Sequence, residues 1–229
     1  MKKLSIFSAI ERIAAVLAII LLMAASPAIA WADEDTEDEL ARIAALDELS
    51  NEELIQSVNL GKQAELISKF QDKEAKRLLK DVYKRADGCD VEMYRNHEVI
   101  IVTIPASQLF SPNSTRLSGE ADKYLDPILR YVKTNRPDMY RVLLIMHTDD
   151  TGSTSYTDNL SLNRVEAVYD YLDEAGADTR YIFPTAAGST DPLVPNNTVD
   201  GRAKNRRLEV YLIPGKRMLN EAKKGRVAL

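Results

Sequence analysis

Three charged residues frame the stretch His147–Arg164, HTDDTGSTSYTDNLSLNR: Asp149 and Asp150 near its start and Arg164 at its end. An acid and a guanidinium held a few ångströms apart can grip a ligand that carries both charges, and can equally form a structural ion pair. The placement of Arg164 sets it apart. A helix beginning at about Asp158 puts Leu160, Ala167, Val168, Tyr171, Leu172 and Ala175 on one face at 100° per residue, with Arg164 near the middle of that apolar face. A guanidinium cannot shed its charge there, so it needs a carboxylate or a shell of acceptors. Asp149 and Asp150 are the nearest carboxylates by chain geometry.

The elements that must position these groups can be read around them. Val142–Met146 is an apolar run of the kind that forms a buried strand, so that the acids leave its end and Arg164 follows on the next helix. Asp90–Tyr94 and Glu98–Ile104 alternate as two strands about the polar turn Arg95-Asn96-His97. Ser118–Thr134 is expected to be a helix capped by Ser118, with Tyr124, Leu125, Ile128, Leu129 and Val132 buried. Tyr181–Ala187 and Arg207–Ile213 supply two more strands, separated by a long turn-rich connection, Gly188–Asn205, with Pro192 and Pro195. This alternation predicts an α/β sandwich, a mixed sheet with its helices packed on one side.

Before this domain, which spans 88–215, residues 31–87 divide into an acidic stretch, DEDTEDE over 33–39, expected as a solvated linker, and a helical segment. A helix is expected from about Leu40, a second from the capping box Ser50–Glu53, and a third over Lys62–Arg85, with Ala64, Ile67, Phe70, Ala75, Leu78 and Val82 at helical spacing and Gly88 as its cap. Residues 1–30 read as a secretory signal peptide: Met1-Lys2-Lys3, the apolar run Ile13–Ala25, and small-x-small cleavage patterns ending at Ala30 and Ala32. An uncleaved membrane anchor is the alternative, since Ile13–Ala30 falls just short of a span. The tail 216–229 is basic and reads as a solvated helix or disordered.

Composition narrows the function. A formal charge of −5 gives no footprint for nucleic acid. Cys89 is the single cysteine, so an exported chain has no internal disulfide and no lipid-accepting thiol at the cleavage site. The two histidines, His97 and His147, lack metal-ligand spacing, and Ser153 and Ser155 lack a nucleophile-elbow context, so neither a metal, a cofactor nor catalysis is expected.

Read together, HTDDTGSTSYTDNLSLNRVEAVYDYL and GRAKNRRLEVYL strongly resemble the OmpA-like C-terminal domain, with His147-Thr148-Asp149, Gly152-Ser153, Tyr156, Leu160-Ser161, Arg164 and Tyr171-Leu172 followed by Pro192, Asn197-Thr198, Gly201-Arg202 and Asn205-Arg206-Arg207. Leu109–Ser114 matches the strand-exit segment of that family, and the likeness covers about 88–213. The resemblance implies a βαβαβ-type fold and non-covalent binding of the diaminopimelate residue of peptidoglycan, its amino and carboxylate groups clamped by Asp149 and Arg164. Asn113, Thr148, Thr157 and Arg206 match further positions of the pocket. Met146, Thr157 and Ala186 depart from the family's Gly, Asn and Gly; Thr157 removes an amide from the pocket. The resemblance further implies a periplasmic or outer-membrane-associated protein of a Gram-negative-type bacterium that anchors the envelope or a partner to the wall. The segment 40–86 is open to an envelope partner and the chain to homodimerisation. The alternative is a stator-like or anchoring subunit of a larger envelope machine, held by an uncleaved N-terminal helix.

Overall fold

The structure, a computed structural model, describes residues 33–81, Tyr83 and 88–228; the expected signal peptide at 1–30 and Val82 lie outside them. Five strands form one sheet: β1 (Asp90–Tyr94), β2 (Val99–Pro105), β3 (Tyr140–His147), β4 (Ile182–Gly188) and β5 (Arg207–Pro214), in the order β1-β2-β5-β3-β4. Only β3 and β4 run parallel; the other neighbours are antiparallel. The helices are α1 (Asp33–Asp47), α2 (Asn51–Ile55), α3 (Ala64–Asp81), α4 (Ala106–Leu109), α5 (Asp122–Leu129), α6 (Thr154–Glu174), α7 (Val199–Asn205) and α8 (Lys216–Lys223).

Every residue of β3 is buried, which requires cover on both faces of the sheet. On one face Val142, Leu144 and Met146 pack with Leu208 and Val210 of β5 against α3, α5 and α6. On the other, Leu143, Ile145, Phe183 and Ile213 meet Leu46, Leu49, Leu54 and Ile55. The domain's own helices α5 and α6 pack on one side, as expected, and part of the preceding helical segment covers the other. The segment carrying α1 and α2 covers the second face, where its Leu46, Leu49, Leu54 and Ile55 help take Leu143 and Ile145 of β3 out of water. Polar ties fix it in place: Arg42 to Asp138 at 3.3 Å, Arg141 to Ser57 at 2.6 Å and Thr185 to Asn51 at 3.1 Å.

Several element bounds differ from the sequence reading. The acidic stretch 33–39 is the first part of α1, not a linker. Ser50 caps α2 with the expected capping box; α3 is described over Ala64–Asp81, its expected end near Arg85 lies outside the described residues, and Gly88 takes a left-handed φ of 77° before β1. Ser118 donates its backbone N–H to Leu109 O and does not cap α5, which is confined to Asp122–Leu129 and contains Pro127. The connection 188–205 holds a helix, α7, capped by Thr198. The tail forms α8, a helix as one of the expectations had it; its basic side chains are exposed while Met218 and Ala222 are buried against the core.

Leu54 is fully buried between α2 and the sheet. Leu54→Ala is expected to lower the unfolding free energy by about 2–5 kcal/mol. Urea unfolding followed by tryptophan-independent far-UV circular dichroism measures this. A loss below about 0.5 kcal/mol, the range of surface substitutions, would mean that the segment does not cover the sheet.

Candidate ligand-binding site

The C-terminal end of β3 delivers Thr148 and Asp149 to a short loop, and local bonds shape that loop. Thr148 donates its N–H to Gly188 O at 2.8 Å, while Gly188 N–H donates to Ser161 Oγ at 3.0 Å, tying the ends of β3 and β4 to α6. Asp149 Oδ1 accepts from Thr151 N at 2.8 Å, an Asx-type turn. Gly152 follows with φ 108°, where a Cβ would run into the Tyr156 ring. Ser153 then caps α6, accepting from Tyr156 N. This cap starts the helix four residues earlier than the expected Asp158, since a serine side chain satisfies a free N–H of the first turn.

α6 buries Thr157, Ser161, Arg164, Val165, Val168 and Leu172 along one stripe, confirming the inward position of Arg164. Arg164 is 4% exposed, with its Nε donating to Ser114 O at 2.9 Å and its guanidinium carbon 5.0 Å from the centre of the Phe110 ring. The carboxylate that chain geometry offered it is committed elsewhere: Asp149 Oδ2 lies 2.5 Å from Arg206 Nη1. Among the described residues, no carboxylate is within ion-pair distance of Arg164. A carbonyl and an aromatic face thus hold the guanidinium in orientation without neutralising it. Burial lowers the Arg164 pKa; Tyr156 and Asp149 oppose the shift and Arg206 adds to it. The group remains a cation at neutral pH all the same. Burial would raise the Asp149 pKa, but its bonds from Thr151 and Arg206 hold it below the ordinary aspartate value.

The six residues singled out in the sequence fall as follows. Asp149, Arg164 and Arg206 form one charged cluster. Asn113 is exposed with φ 54° and turns the chain that presents Ser114 O to Arg164. Thr148 is buried, its hydroxyl without a partner among the described residues. Thr157 is buried, but its hydroxyl donates back to Thr154 O at 2.9 Å, so it offers the pocket little in place of an amide. Phe110 and the Ser114 carbonyl escaped the site list. A cation–π contact and a backbone acceptor leave no mark in residue spacing, although both lie in the Leu109–Ser114 segment that carried the resemblance.

Behind the loop lies a second charged set on β3 and β5. Arg207 donates Nε to Glu209 Oε1 at 2.7 Å and its Nη groups to the Asp191 and Asn205 carbonyls. His147 Nε2 approaches Glu209 Oε2 to 3.5 Å without a hydrogen bond, and that oxygen accepts from Tyr211 OH. Arg207 immediately follows Arg206 and His147 precedes Asp149 by two residues, so this set braces both arms of the cluster.

The mixed α/β sheet and its helices bring Asp149 after β3, Arg206 just before β5 and Arg164 on α6 into one polar site at the strand ends. Residues 109–206 match the model of the OmpA family. Outer membrane protein A of Bordetella avium is 29% identical over 112 residues, which span 49% of this chain and 57% of that protein. The peptidoglycan-binding protein ArfA of Mycobacterium tuberculosis is 41% identical over 72 residues, 31% of this chain and 22% of that one. The chain thus spans little more than half, or less, of these relatives. Among solved structures, a putative MotB-like protein from Desulfovibrio vulgaris shares the fold at TM-score 0.56 and 24% identity, over 66% of this chain and 98% of that one. The cell wall anchor of the T6SS from Pseudomonas aeruginosa gives TM-score 0.51 at 28% identity, over 60% of this chain and 95% of its own.

Burial favours the neutral form of Glu209, yet His147 and Arg207 hold its carboxyl down to about 2. In the unfolded chain it titrates near 4.5, so its contribution to stability is fully present above that pH and is lost as pH falls toward 2. Urea unfolding at pH 7 and pH 3 is expected to show a loss that Glu209→Gln reduces by about 1–3 kcal/mol. An identical loss in both proteins would remove Glu209 from the bracing set.

Proposed function

We propose that this domain binds peptidoglycan non-covalently and that the protein anchors the envelope, or a partner protein, to the cell wall. Arg164 takes the free carboxylate of the diaminopimelate residue of the stem peptide, and Asp149 takes the ammonium beside it. The observation that carries this reading is the state of Arg164, a buried cation oriented at Nε by Ser114 O and, among the described residues, left without a carboxylate. A buried charge without a counter-ion is costly to the folded protein, and an incoming carboxylate removes that cost through a bidentate pair. The names of two similar proteins, a peptidoglycan-binding protein and a cell wall anchor, support the same ligand.

The site is read as a binding module and not as an enzyme. Its polar groups are charges that complement a zwitterion, and its threonine hydroxyls are either bonded to a carbonyl or unpartnered, none being set against a base. The reading places the protein in the periplasm or at the outer membrane of a Gram-negative-type bacterium after export, with the 40–86 segment available to an envelope partner or a second copy. Among the described residues no helix is long and apolar enough to cross a membrane. A second reading, the wall-anchoring subunit of a larger envelope machine, is favoured by the 28% identity to the secretion-system anchor. It uses the same clamp, and the start of the mature chain separates the two.

Co-sedimentation with purified diaminopimelate-type sacculi tests the clamp. Wild type is expected to pellet, and Asp149→Ala and Arg164→Ala to lose at least about tenfold in affinity, the worth of one charge-assisted hydrogen bond. Unchanged circular dichroism spectra would show that each variant still folds. Equal pelleting of all three proteins, or no pelleting of wild type, contradicts the proposal.

A further inference from the structure

α3 carries two unlike faces. Ile67, Gln71, Glu74, Ala75 and Leu78 are buried. At 100° per residue Leu66, Lys69, Lys73, Lys76 and Lys80 fall opposite them, within a wedge of about 80°. All of this second set are exposed, and the row runs about 21 Å along the helix. Buried hydrogen bonds fix the direction in which it points. Gln71 donates Nε2 to the Glu98 and Leu212 carbonyls and accepts from Tyr140 OH at 2.6 Å, while Glu74 accepts from Tyr131 OH at 3.1 Å and from Arg77 Nε at 3.2 Å. Turning the helix to hide the lysines would break this set. Among the described residues Lys69 alone of the row has an ion-pair partner, Glu65 at 2.6 Å, and Asp72 at its flank is hydrogen-bonded to His97. Residues 216–224, α8 and the position after it, pack beside α3 and expose Lys216, Arg217, Lys223 and Lys224; their one acid, Glu221, is paired with Lys224 and Arg226. A chain of net charge −5 thus turns a strongly basic face outward.

We propose that the face made by α3 and α8 is a docking surface for a bilayer containing anionic phospholipid, so that the protein lies on a membrane while its strand-end site stays open. The two surfaces are apart. α8 starts where β5 ends, and β5 begins beside Arg206, so the length of that strand, about 25 Å, separates α8 from the ligand end of the sheet. Both helices also lie outside the family match at 109–206, and the proposal does not depend on the peptidoglycan reading. The chemistry of the row favours a lipid surface over an acidic protein. A lysine ammonium is a flexible point charge that sets no planar geometry, which suits headgroups that move beneath it better than a fixed pattern of carboxylates. Leu66 within the row is 37% exposed and Leu79 at its flank 40% exposed, and apolar side chains among lysines are what an interfacial helix lowers into the headgroup layer. Attraction to an anionic leaflet adds up lysine by lysine and fades within a Debye length, so the binding is sensitive to salt.

Flotation of the full chain with unilamellar vesicles tests this, the vesicles holding phosphatidylethanolamine with either anionic phosphatidylglycerol or neutral phosphatidylcholine. The readout is the ratio of the two affinities, because the apolar run Ile13–Ala25 would add to the binding of both vesicles alike. Wild type is expected to favour the anionic vesicles at least about tenfold at low salt, and to lose that preference as ionic strength rises to about 0.5 M. The triple variant K73E/K76E/K80E, at exposed positions, should lower the ratio at least about tenfold, each lysine near an anionic leaflet being worth about fivefold. K73R/K76R/K80R should keep the ratio, since charge and not donor geometry is used. The glutamate variant should also pellet with sacculi as wild type does, which would show the two surfaces to be separate. A wild-type ratio near one, or a ratio that the glutamate variant leaves unchanged, overturns the proposal. With the ratio near one, weaker pelleting of the glutamate variant would assign this face to the wall. Self-association in sedimentation velocity that the same variant abolishes would assign it to a second copy.

Discussion

The geometry of this site depends on how one buried guanidinium is held. Arg164 sits in the apolar stripe of α6, where a carboxylate would be the ordinary way to make a cation tolerable, and it is instead fixed by the Ser114 carbonyl and the Phe110 ring. That choice keeps the charge available. A structural salt bridge from Asp149 would have closed the site, because a well-made buried pair satisfies both partners and leaves nothing for a ligand. By engaging Asp149 with Arg206, which stands just before β5 far along the chain, the fold keeps the acid and the inward arginine separate and pre-oriented.

The rest of the architecture serves that separation. β3 runs through the middle of the protein with both faces covered, so the point where Thr148 and Asp149 emerge is fixed by packing from two sides. β5 lies beside it and brings Arg206 and Arg207 to the same end, and the Arg207–Glu209–His147 set links the two strands just below the loop. α1 and α2, outside the family match at 109–206, are part of the same folded body through their leucines and through the Arg42–Asp138 and Arg141–Ser57 ties. Such rigid support matters because any slack in the strands would blur the spacing of the charged groups.

Much of this was legible in the sequence where the signal was local. The apolar run before His147 and the helix after it were readable from periodicity, and Arg164 declared itself by sitting on the wrong face of that helix. The five strands were placed within one or two residues. What escaped was non-local or depended on a cap. Ser153, a single hydroxyl, moved the start of α6; Thr198 began a helix inside a proline-bearing connection whose composition reads as turn. The cover on the second face was missed because Leu46, Leu49, Leu54 and Ile55 stand among acids, and only their contact with β3 reveals their use. The pairing of Asp149 with Arg206 across 57 positions of chain could not be distinguished from a pairing with Arg164 until the strands were in order.

Arg164 is held ready for a carboxylate that none of the described residues supplies. Nuclear magnetic resonance of the arginine side chains reads this directly, by titrating the folded chain with a diaminopimelate-containing stem peptide and following the Nε and Nη signals. On saturation the Arg164 Nη protons should shift and exchange with water more slowly, while its Nε signal, already bonded to Ser114 O, moves little. An Arg164 signal unchanged at saturation, with the peptide's effects falling on other parts of the surface, would contradict the account.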